Sequence, residues 1–408
     1  MDGPLEGVRV LDLSEYIAGP YCTRVLAGFG ADVIKVERPG GDPIRRWGPF
    51  TDGAVSPETG ALHLYLNQGK RSITLDLETE DGRSVLRELV ASADVLVESG
   101  RPGAWHEIGF GYEDLREANP ALVYASITPF GQDGPYSQFN AWEITCYALS
   151  GHMQITGEPD KEPLKNGGYL GQYGAGQNAY IAITAALWER GFSDLGQHID
   201  VSMHECLTSL LEMTDMTYIY GNEIHPRTGN GARAAWGIYP CADGFIGVVS
   251  GPPRRWMNIS TLMEDPTLAD EKYLRTGAQS EFRAESDAYM LPWLITHEKE
   301  DIYQKAQALG LPFGYVSTPA DYFKNEQLQY RGYFHEVDHP VAGTMQYPSV
   351  AAHFTDGLWE SKRAPLLGEH TLEVLESLGH DAPSRANLAA AGALGAHPRG
   401  GVTNGTAR

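Results

Sequence analysis

The chain has 408 residues, of which 42% are hydrophobic, and this length and composition predict a globular protein with a large interior divided between two lobes. Its 53 acidic side chains outnumber the 31 Lys and Arg residues, which leaves a net charge of −22. This charge argues against nucleic acid and anionic membranes as partners. A polyanionic ligand would have to meet a local cluster of cations.

The start of the chain, MDGPLEGVRVLDLS, has no basic segment followed by an apolar run, and no window reaches the roughly 18 apolar residues of a membrane span. We therefore expect a cytoplasmic protein. Its four cysteines have no CxxC spacing, so we expect reduced, buried thiols at Cys22, Cys146, Cys206 and Cys241. The histidines show no HxH or HExxH spacing, and no metal site is expected.

Apolar strands alternate with helices in the first third of the chain. Strands are predicted at residues 7–14, 31–39, 71–77, 94–99 and 121–130, with helices at 20–30, 81–93 and 112–118. This alternation predicts an α/β fold with a parallel sheet covered by helices on both faces. Gly28 and Gly30 lie at the end of the first helix, so we interpret them as a C-terminal cap and not as part of a dinucleotide fingerprint.

The rest of the chain is predicted to add helices, a strand and a second lobe. Helices are predicted at 142–151, 175–190 and 205–221, a strand at 197–203, and a hairpin at 237–251 that turns at Ala242-Asp243-Gly244. We predict a large domain over residues 1–220, a small α+β domain over 221–325, a return to the large domain over 326–382, and a flexible Gly/Ala-rich tail over 383–408.

Five motifs resemble the family III CoA-transferases (CaiB/BaiF type), a group that includes formyl-CoA:oxalate and carnitine CoA-transferases and α-methylacyl-CoA racemase. They are PLEGVRVLDLSEYIAGPYCTRVLAGFGADVIKVERPGGDPIRRWGP, LNQGKRSITLDL, the segment from ADVLVESGRPGAW to SITPFGQDGPY, ALSGHMQITGEPD and LGQHIDVSMHE. In order and spacing they span residues 4–210, and the second half follows more loosely. The resemblance implies an open Rossmann-like large domain formed by both chain ends, a small domain between them, and a dimer of interlocked rings.

The same resemblance implies that CoA and acyl-CoA are substrates and that no cofactor is permanently bound. Of the matching positions, Arg38 follows the second strand, Lys70 and Arg71 precede the third, and Arg101 follows the fourth. We expect these cations to converge on the CoA phosphates, although each is otherwise an ordinary surface cation. Ile17 stands where formyl-CoA transferase has glutamine. The full set of matching positions is Tyr16, Ile17, Ala18, Arg38, Leu66, Lys70, Arg71, Ser99, Gly100 and Arg101.

An amide, Gln172, stands where the resembling transferases carry their nucleophilic aspartate, four residues before Gly176 in GYLGQYGAGQNAYIAITAALWERG. An amide oxygen is far too weak a nucleophile to form an acyl-enzyme. Racemases of the group also need this aspartate, together with a histidine that corresponds to Trp142. Both catalytic residues of the racemases are therefore replaced in this chain, by Gln172 and Trp142.

Three hypotheses follow. The chain is a non-nucleophilic subunit that works with a homologous Asp-bearing partner, as in the succinyl-CoA:benzylsuccinate type, in a heterodimer or heterotetramer. Alternatively it acts with itself as a transferase or lyase that uses another acid such as Glu143, or it binds CoA thioesters without turnover. The acyl donor, for example succinyl-CoA, and the carboxylic acid acceptor stay open.

Side chains around this position suggest an acyl pocket. Glu143 lies in NAWEITCYALSG, where a carboxylate acts as a base or nucleophile, or else stabilises a helix N-terminus. Gln172 itself either donates a hydrogen bond to a thioester carbonyl or only packs. The aromatic residues that would line the pocket, or else belong to the core, are Trp142, Tyr169, Tyr173 and Trp236.

Overall fold

The computed structural model describes residues 3–51, 53–230, 234–250, 255–274, 281–355 and 359–395. The chain divides into two compact units. The first is drawn from Met1–Ser150, Asn166–Leu211 and Gly332–Arg408, and the second from Gly151–Lys165 and Glu212–Arg331.

The first unit begins with alternating strands and helices. They are β1 (Arg9–Asp12), α1 (Ala18–Gly28), β2 (Asp32–Glu37), α2 (Ala61–Leu66), β3 (Arg71–Thr74), α3 (Glu80–Ala91), β4 (Val95–Glu98), α4 (Ala104–Glu107), α5 (Tyr112–Arg116) and β5 (Val123–Thr128). The chain continues through α6 (Glu143–Leu149), then α7 (His152–Ile155) in the second unit, then α8 (Leu170–Ser193), β6 (His198–Ser202) and α9 (Met203–Thr208).

The second unit contains one antiparallel sheet and short helices. Its elements are α10 (Glu212–Gly221), β7 (Trp236–Cys241), β8 (Gly244–Val249), α11 (Trp256–Met263), α12 (Arg283–Leu294), α13 (Lys299–Ala308), β9 (Gly314–Tyr315), α14 (Pro319–Tyr322) and α15 (Glu326–Tyr330). The chain then returns to the first unit with β10 (Phe334–His339), β11 (Gly343–Pro348), α16 (Thr371–Ser377) and α17 (Ala382–Ala390).

The main sheet has six strands in the order β3-β2-β1-β4-β5-β6, and every neighbouring pair is parallel. This is the order of a doubly wound Rossmann-like sheet, so the predicted α/β fold class is confirmed. The strand order reverses between β1 and β4, where Val10 lies opposite both Val33 and Val95. In such sheets ligands bind outside the carboxyl ends of the strands at this reversal.

Both faces of the sheet are covered. On one face, the α3 residues Leu86 and Leu89 are buried in a cluster with Leu11, Ile34 and Leu96 of the strands. The other face lies under α1 and α8, which contact each other along the sheet. The central strands β1, β4 and β5 are therefore buried on both sides, which explains why their sequences are largely apolar.

Two local predictions have different outcomes. The cap at the end of α1 is confirmed, because Gly30 has a φ of 99° and its N–H donates to the carbonyl of Ala27. The single helix predicted over 205–221 is wrong. The chain forms α9 and α10 instead, and near the break the hydroxyls of Thr208 and Ser209 donate to backbone carbonyls, which competes with a continuous helix.

The second unit has its own core. The predicted hairpin is confirmed by antiparallel β7 and β8, in which Cys241 lies opposite Gly244. Trp256, Tyr273 and Met290 are fully buried in an apolar cluster within this unit. The last part of the predicted tail, residues 396–408, lies outside the described residues, whereas α17 covers Ala382–Ala390. Within the described residues no helix is both long and apolar enough to cross a membrane.

Candidate functional site

Two adjoining cavities lie at the carboxyl edge of the main sheet, within the first unit. The larger cavity, of about 590 Å³, is lined by the segments that follow β1, β2, β3 and β4, and includes Arg38, Ser99 and Gly100. The inner cavity, of about 190 Å³, includes Tyr16, Ala18 and Gln172. Glu15 and Ser99 line both cavities, so the two spaces meet at these residues.

The larger cavity contains one exposed cation of the predicted set, Arg38. Its guanidinium pairs with the Glu15 carboxylate at 2.7 Å, and its side chain is 58% exposed. An exposed pair of this kind contributes little to stability, so Arg38 can exchange partners at low cost. Burial and the nearby Asp42 carboxylate raise the pKa of Glu15, although Arg38 acts in the opposite direction.

The structure does not bring the other three predicted cations to this cavity. Arg71 is the first residue of β3 and pairs with Asp32, at the amino ends of the strands. Arg101 pairs with Glu107 at 2.6 Å and lines a side cavity of about 320 Å³, which shares Trp105 with the larger one. For Arg71 the expected convergence needs this correction because a residue that begins a parallel strand lies at the edge opposite the ligand. Arg101 follows β4, but its guanidinium pairs with Glu107 in the side cavity.

Lys70 also precedes β3 and is fully buried. Its ammonium donates to Asp12, Asn67 and the carbonyl of Pro20 at 2.8–2.9 Å, which uses all three of its hydrogens. Burial lowers the pKa of Lys70 to about 8, although Asp12 opposes this shift. Lys70 therefore ties α1 to the sheet and is not among the residues that line the two cavities.

Two other predicted positions belong to the core beneath the site. Ile17 and Leu66 are both fully buried in an apolar cluster with Ile44. Tyr169 and Tyr173, predicted as acyl-pocket aromatics, are partly buried against the same cluster. None of these four residues lines either of the two cavities. Trp236 belongs to the second unit.

Tyr16, which follows Glu15 and lines the inner cavity, is held in an unusual backbone conformation. Its φ is +66°, which a bulky side chain rarely adopts, and its N–H donates to Asp42 at 3.2 Å. The Tyr16 ring packs edge-on against Trp142 with centroids 5.2 Å apart. Trp142 also lines the inner cavity. Strained residues of this kind cluster at functional sites.

Gln172 lies in the first turn of α8 and is 8% exposed. The Glu143 carboxylate accepts hydrogen bonds from the backbone N–H groups of Gly171 at 2.8 Å and Gln172 at 3.1 Å. A carboxylate at the start of a helix is stabilised by the free N–H groups and by the helix dipole. Glu143 therefore fixes the start of α8, and with it the position of Gln172, and it does not line the inner cavity.

A network of buried charges supports the loops around the larger cavity. Lys35 pairs with Asp42 at 2.9 Å, and Arg45 pairs with Glu37 at 2.7 Å, all with side chains at most 1% exposed. Burial would raise the pKa of Asp12, but Lys35 and Lys70 outweigh it and lower that pKa to about 2. These pairs fix the ends of β1 and β2, from which Glu15 and Arg38 extend.

Glu98 ends β4 and lines the side cavity with Arg101, Ser126 and His198. Burial raises its pKa to about 7, although bonds from Ser126 and the Gly100 N–H oppose the shift. The Gly100 N–H donates to Glu98 at 2.6 Å. Glu98 thus fixes the Ser99–Gly100 turn, which lines the larger cavity, through a bond from the side cavity.

Reasoning from the sequence missed Glu15. It stands in the first strand-to-helix connection, directly before Tyr16, and it lines both cavities. The position of Glu15 in the sequence could have identified it, because the turn after the first strand of a doubly wound sheet faces the ligand. The predicted residues that the structure does bring together are Tyr16, Ala18, Arg38, Ser99, Gly100 and Gln172.

The strand order and the joined cavities at its switch point define an α/β protein of the doubly wound, Rossmann-like type. The family model "CoA-transferase family III" matches residues 5–371, and the chain belongs to this family. Relatives in this family are named as enzymes that transfer CoA between acids, such as succinate and glutarate.

Several relatives cover nearly the whole chain. Succinate--glutarate CoA-transferase of Agrobacterium fabrum is 34% identical over 384 residues, which are 92% of this chain and 96% of that protein. Subunit BbsE of succinyl-CoA:(R)-benzylsuccinate CoA-transferase of Thauera aromatica is 32% identical over 95% of this chain and 97% of its own. A CAIB/BAIF family protein from Brucella suis matches with a TM-score of 0.84 and 33% identity, over 93% of this chain and all of that one.

Proposed function

We propose that this chain is a non-nucleophilic subunit of a CoA-transferase. It binds a CoA thioester across the larger and inner cavities and works with a homologous partner subunit that supplies the aspartate. The observation that carries the proposal is the inner cavity itself. At the start of α8 it presents the amide of Gln172, and the described residues that line it include no aspartate.

The two cavities suit the two ends of a CoA thioester. Arg38 offers a guanidinium fork to a phosphate, and Ser99 and Gly100 line the same wall. The thioester then extends past Tyr16 into the inner cavity, where the Gln172 amide donates a hydrogen bond to its carbonyl oxygen. CoA and its thioesters are substrates in this scheme, and no permanently bound cofactor takes part.

The family's chemistry explains why the amide matters. An aspartate attacks the acyl-CoA carbonyl, CoA leaves as a thiolate, and a mixed anhydride remains on the enzyme. The thiolate then attacks the anhydride at the aspartyl carbonyl, which releases the first acid and leaves an aspartyl-CoA thioester for the acceptor carboxylate. Gln172 is one methylene longer than the aspartate it replaces and ends in a neutral amide without a nucleophilic carboxylate oxygen, so this chain alone cannot form the first adduct.

The contacts of Glu143 disfavour the alternative in which it replaces the aspartate. Both of its oxygens accept backbone N–H groups at the start of α8, and Glu143 is 5% exposed. An attacking oxygen would have to give up these bonds, which are of the stronger, charge-assisted kind. We assign Glu143 as a positioning residue for Gln172. The Thauera relative, which is named as one subunit of its enzyme, supports the heteromeric arrangement.

The test is intact-mass spectrometry of the purified chain with an acyl-CoA, with and without the co-purified homologous subunit. We expect no mass increase on the chain alone and no carboxylate-dependent exchange of CoA, whereas the hetero-oligomer labels only the partner. Turnover by the chain alone that Glu143→Gln abolishes and Gln172→Ala leaves intact would overturn the proposal in favour of Glu143.

A further inference from the structure

The inner cavity has an uneven charge. Among the described residues that line it, none is Lys, Arg or His, and Glu15 carries its one ionisable carboxylate. The remaining wall is largely apolar, with Ile127, Trp142 and Met203 among the lining residues. The polar groups that remain, such as Thr128 and Gln172, are neutral.

Arg38 is not free to pair with a ligand in the inner cavity. Arg38 lines the larger cavity and is paired with Glu15 at 2.7 Å. A phosphate that binds Arg38 would occupy it and leave the Glu15 carboxylate without its partner. A second carboxylate on the acyl group would then enter the inner cavity, lose its water and meet a like charge, which disfavours its ionised form.

From this arrangement we infer that the acyl group held in the inner cavity is uncharged at its far end. It is a short aliphatic or aromatic monocarboxylic acyl group, and Glu15 is the residue that discriminates against dicarboxylic acyl groups. The inference rests on the proposed function, because it assumes that the thioester lies in this cavity. It separates the chain from the Agrobacterium relative, which is named for succinate and glutarate, both dicarboxylates.

The aromatic side chains support the same choice. The rings of Tyr16 and Trp142 meet edge-on at 5.2 Å, and both residues line the cavity. An apolar group placed against them gains contact area without the cost of desolvating a charge. The cavity volume of about 190 Å³ suits a short chain or a single ring.

Titration calorimetry with three ligands tests the inference on the purified chain in its native assembly. The ligands are CoA, butanoyl-CoA and succinyl-CoA, of which the last two differ by a methyl group in place of a carboxylate. We expect butanoyl-CoA to bind about tenfold more tightly than succinyl-CoA, the preference that unfavourable burial of one carboxylate predicts. Failure of all three to bind would contradict the proposed function. Binding of CoA with equal or tighter binding of succinyl-CoA would overturn the inference alone.

Two variants make the test specific. Glu15→Gln removes the like charge and should narrow the tenfold ratio to about threefold or less. Trp142 is 51% exposed, so Trp142→Lys can place a cation at the cavity with little strain, and it should reverse the preference, whereas the control Trp142→Leu should not. If Trp142→Lys fails to fold by circular dichroism, Glu15→Gln decides. A ratio unchanged by Glu15→Gln would contradict the role given to Glu15.

Discussion

At the scale of single residues, the position of a cation along its strand decides what it can bind. Arg38 follows β2 and lines the larger cavity, whereas Arg71 begins β3 and pairs with Asp32. Both residues have the same chemistry and belong to neighbouring strands. They differ in that Arg38 lies at the carboxyl edge of the sheet and Arg71 at the amino edge, so they form a matched pair for an experiment.

We predict that Arg38→Gln weakens CoA binding and that Arg71→Gln does not. A lost charge-assisted bond to phosphate costs about 1.5–3 kcal/mol, which corresponds to roughly ten- to 150-fold in affinity. Calorimetric titration with CoA measures both variants. Equal losses in the two variants would mean that the amino edge of the sheet also contacts the ligand, against the geometry described above.

A second residue-scale prediction concerns pH. The pKa of Glu98 is raised to about 7 by burial, from 4.5, so the folded chain holds a proton there that the unfolded chain releases. The free energy of unfolding should therefore fall as pH rises from about 4.5 to about 7, by on the order of 3 kcal/mol, and this loss should then persist at higher pH.

Glu98→Gln should remove that slope, because the amide does not titrate. Urea unfolding at pH 5 and pH 8 gives the comparison, with the exposed Glu113→Gln as the control. The free energies of unfolding of wild type and Glu98→Gln should differ more at pH 8 than at pH 5. A difference that is the same at both values would show that Glu98 is ionised in the folded chain.

At the scale of elements, the approach of α8 to α1 determines the shape of the inner cavity. A Cβ on Gly176 would lie 2.5 Å from the carbonyl oxygen of Ala18, the first residue of α1. A Cβ on Gly174, half a turn away, would meet nothing within 4 Å. Glycine is therefore required at one position and only tolerated at the other.

We predict opposite effects for the two alanine substitutions. Gly174→Ala should stabilise the chain by about 0.5–1 kcal/mol, because alanine loses less backbone entropy in a helix. Gly176→Ala should destabilise it by about 1–3 kcal/mol through overpacking, and should also weaken acyl-CoA binding as α8 shifts from Ala18. Denaturant unfolding measures the first effect and calorimetry the second. Stabilisation by Gly176→Ala would contradict the close packing.

Much at this scale was predictable from the sequence. Continuous apolar runs of four to six residues between amphipathic helices specify buried parallel strands, and the strands form at β1 to β5 as expected. For Glu143 the sequence allowed a role at a helix N-terminus, but it could not show that this helix is α8, because the bonds to Gly171 and Gln172 join residues 28 and 29 positions apart through tertiary packing. The sequence around Lys70 is that of a surface cation. Only the fold shows that Lys70 is buried and bonded to Asp12, 58 residues away.

At the scale of the whole molecule, apolar surface on α8 supports an assembly. Ile181, Trp188 and Phe192 are 63%, 74% and 77% exposed in the single chain. Because large exposed apolar surfaces mark interaction sites, we predict that another chain covers this one. The interlocked arrangement of resembling enzymes would also bury far more than the roughly 1,600 Å² of a standard interface.

We therefore predict that the chain, alone or with its homologous partner, is never a free monomer. Multi-angle light scattering should give at least twice the chain mass of 44.6 kDa, and dilution below micromolar concentration should not dissociate it without unfolding. Phe192→Asp should lower the apparent stability of the assembly, whereas Arg87→Asp on the exposed side of α3 should not. A stable folded species near the mass of one chain would contradict this prediction.

The measurement that tests the central claim most directly is restoration of the missing carboxylate by Gln172→Asp. The claim is that the chain holds a CoA thioester correctly and lacks only the nucleophile. Incubation with butanoyl-CoA, followed by intact-mass spectrometry, should show no covalent adduct on wild type or on Gln172→Asn, and a hydroxylamine-sensitive adduct on Gln172→Asp. An adduct on wild type alone, or CoA transfer by wild type at the rate of the aspartate variant, would contradict the account.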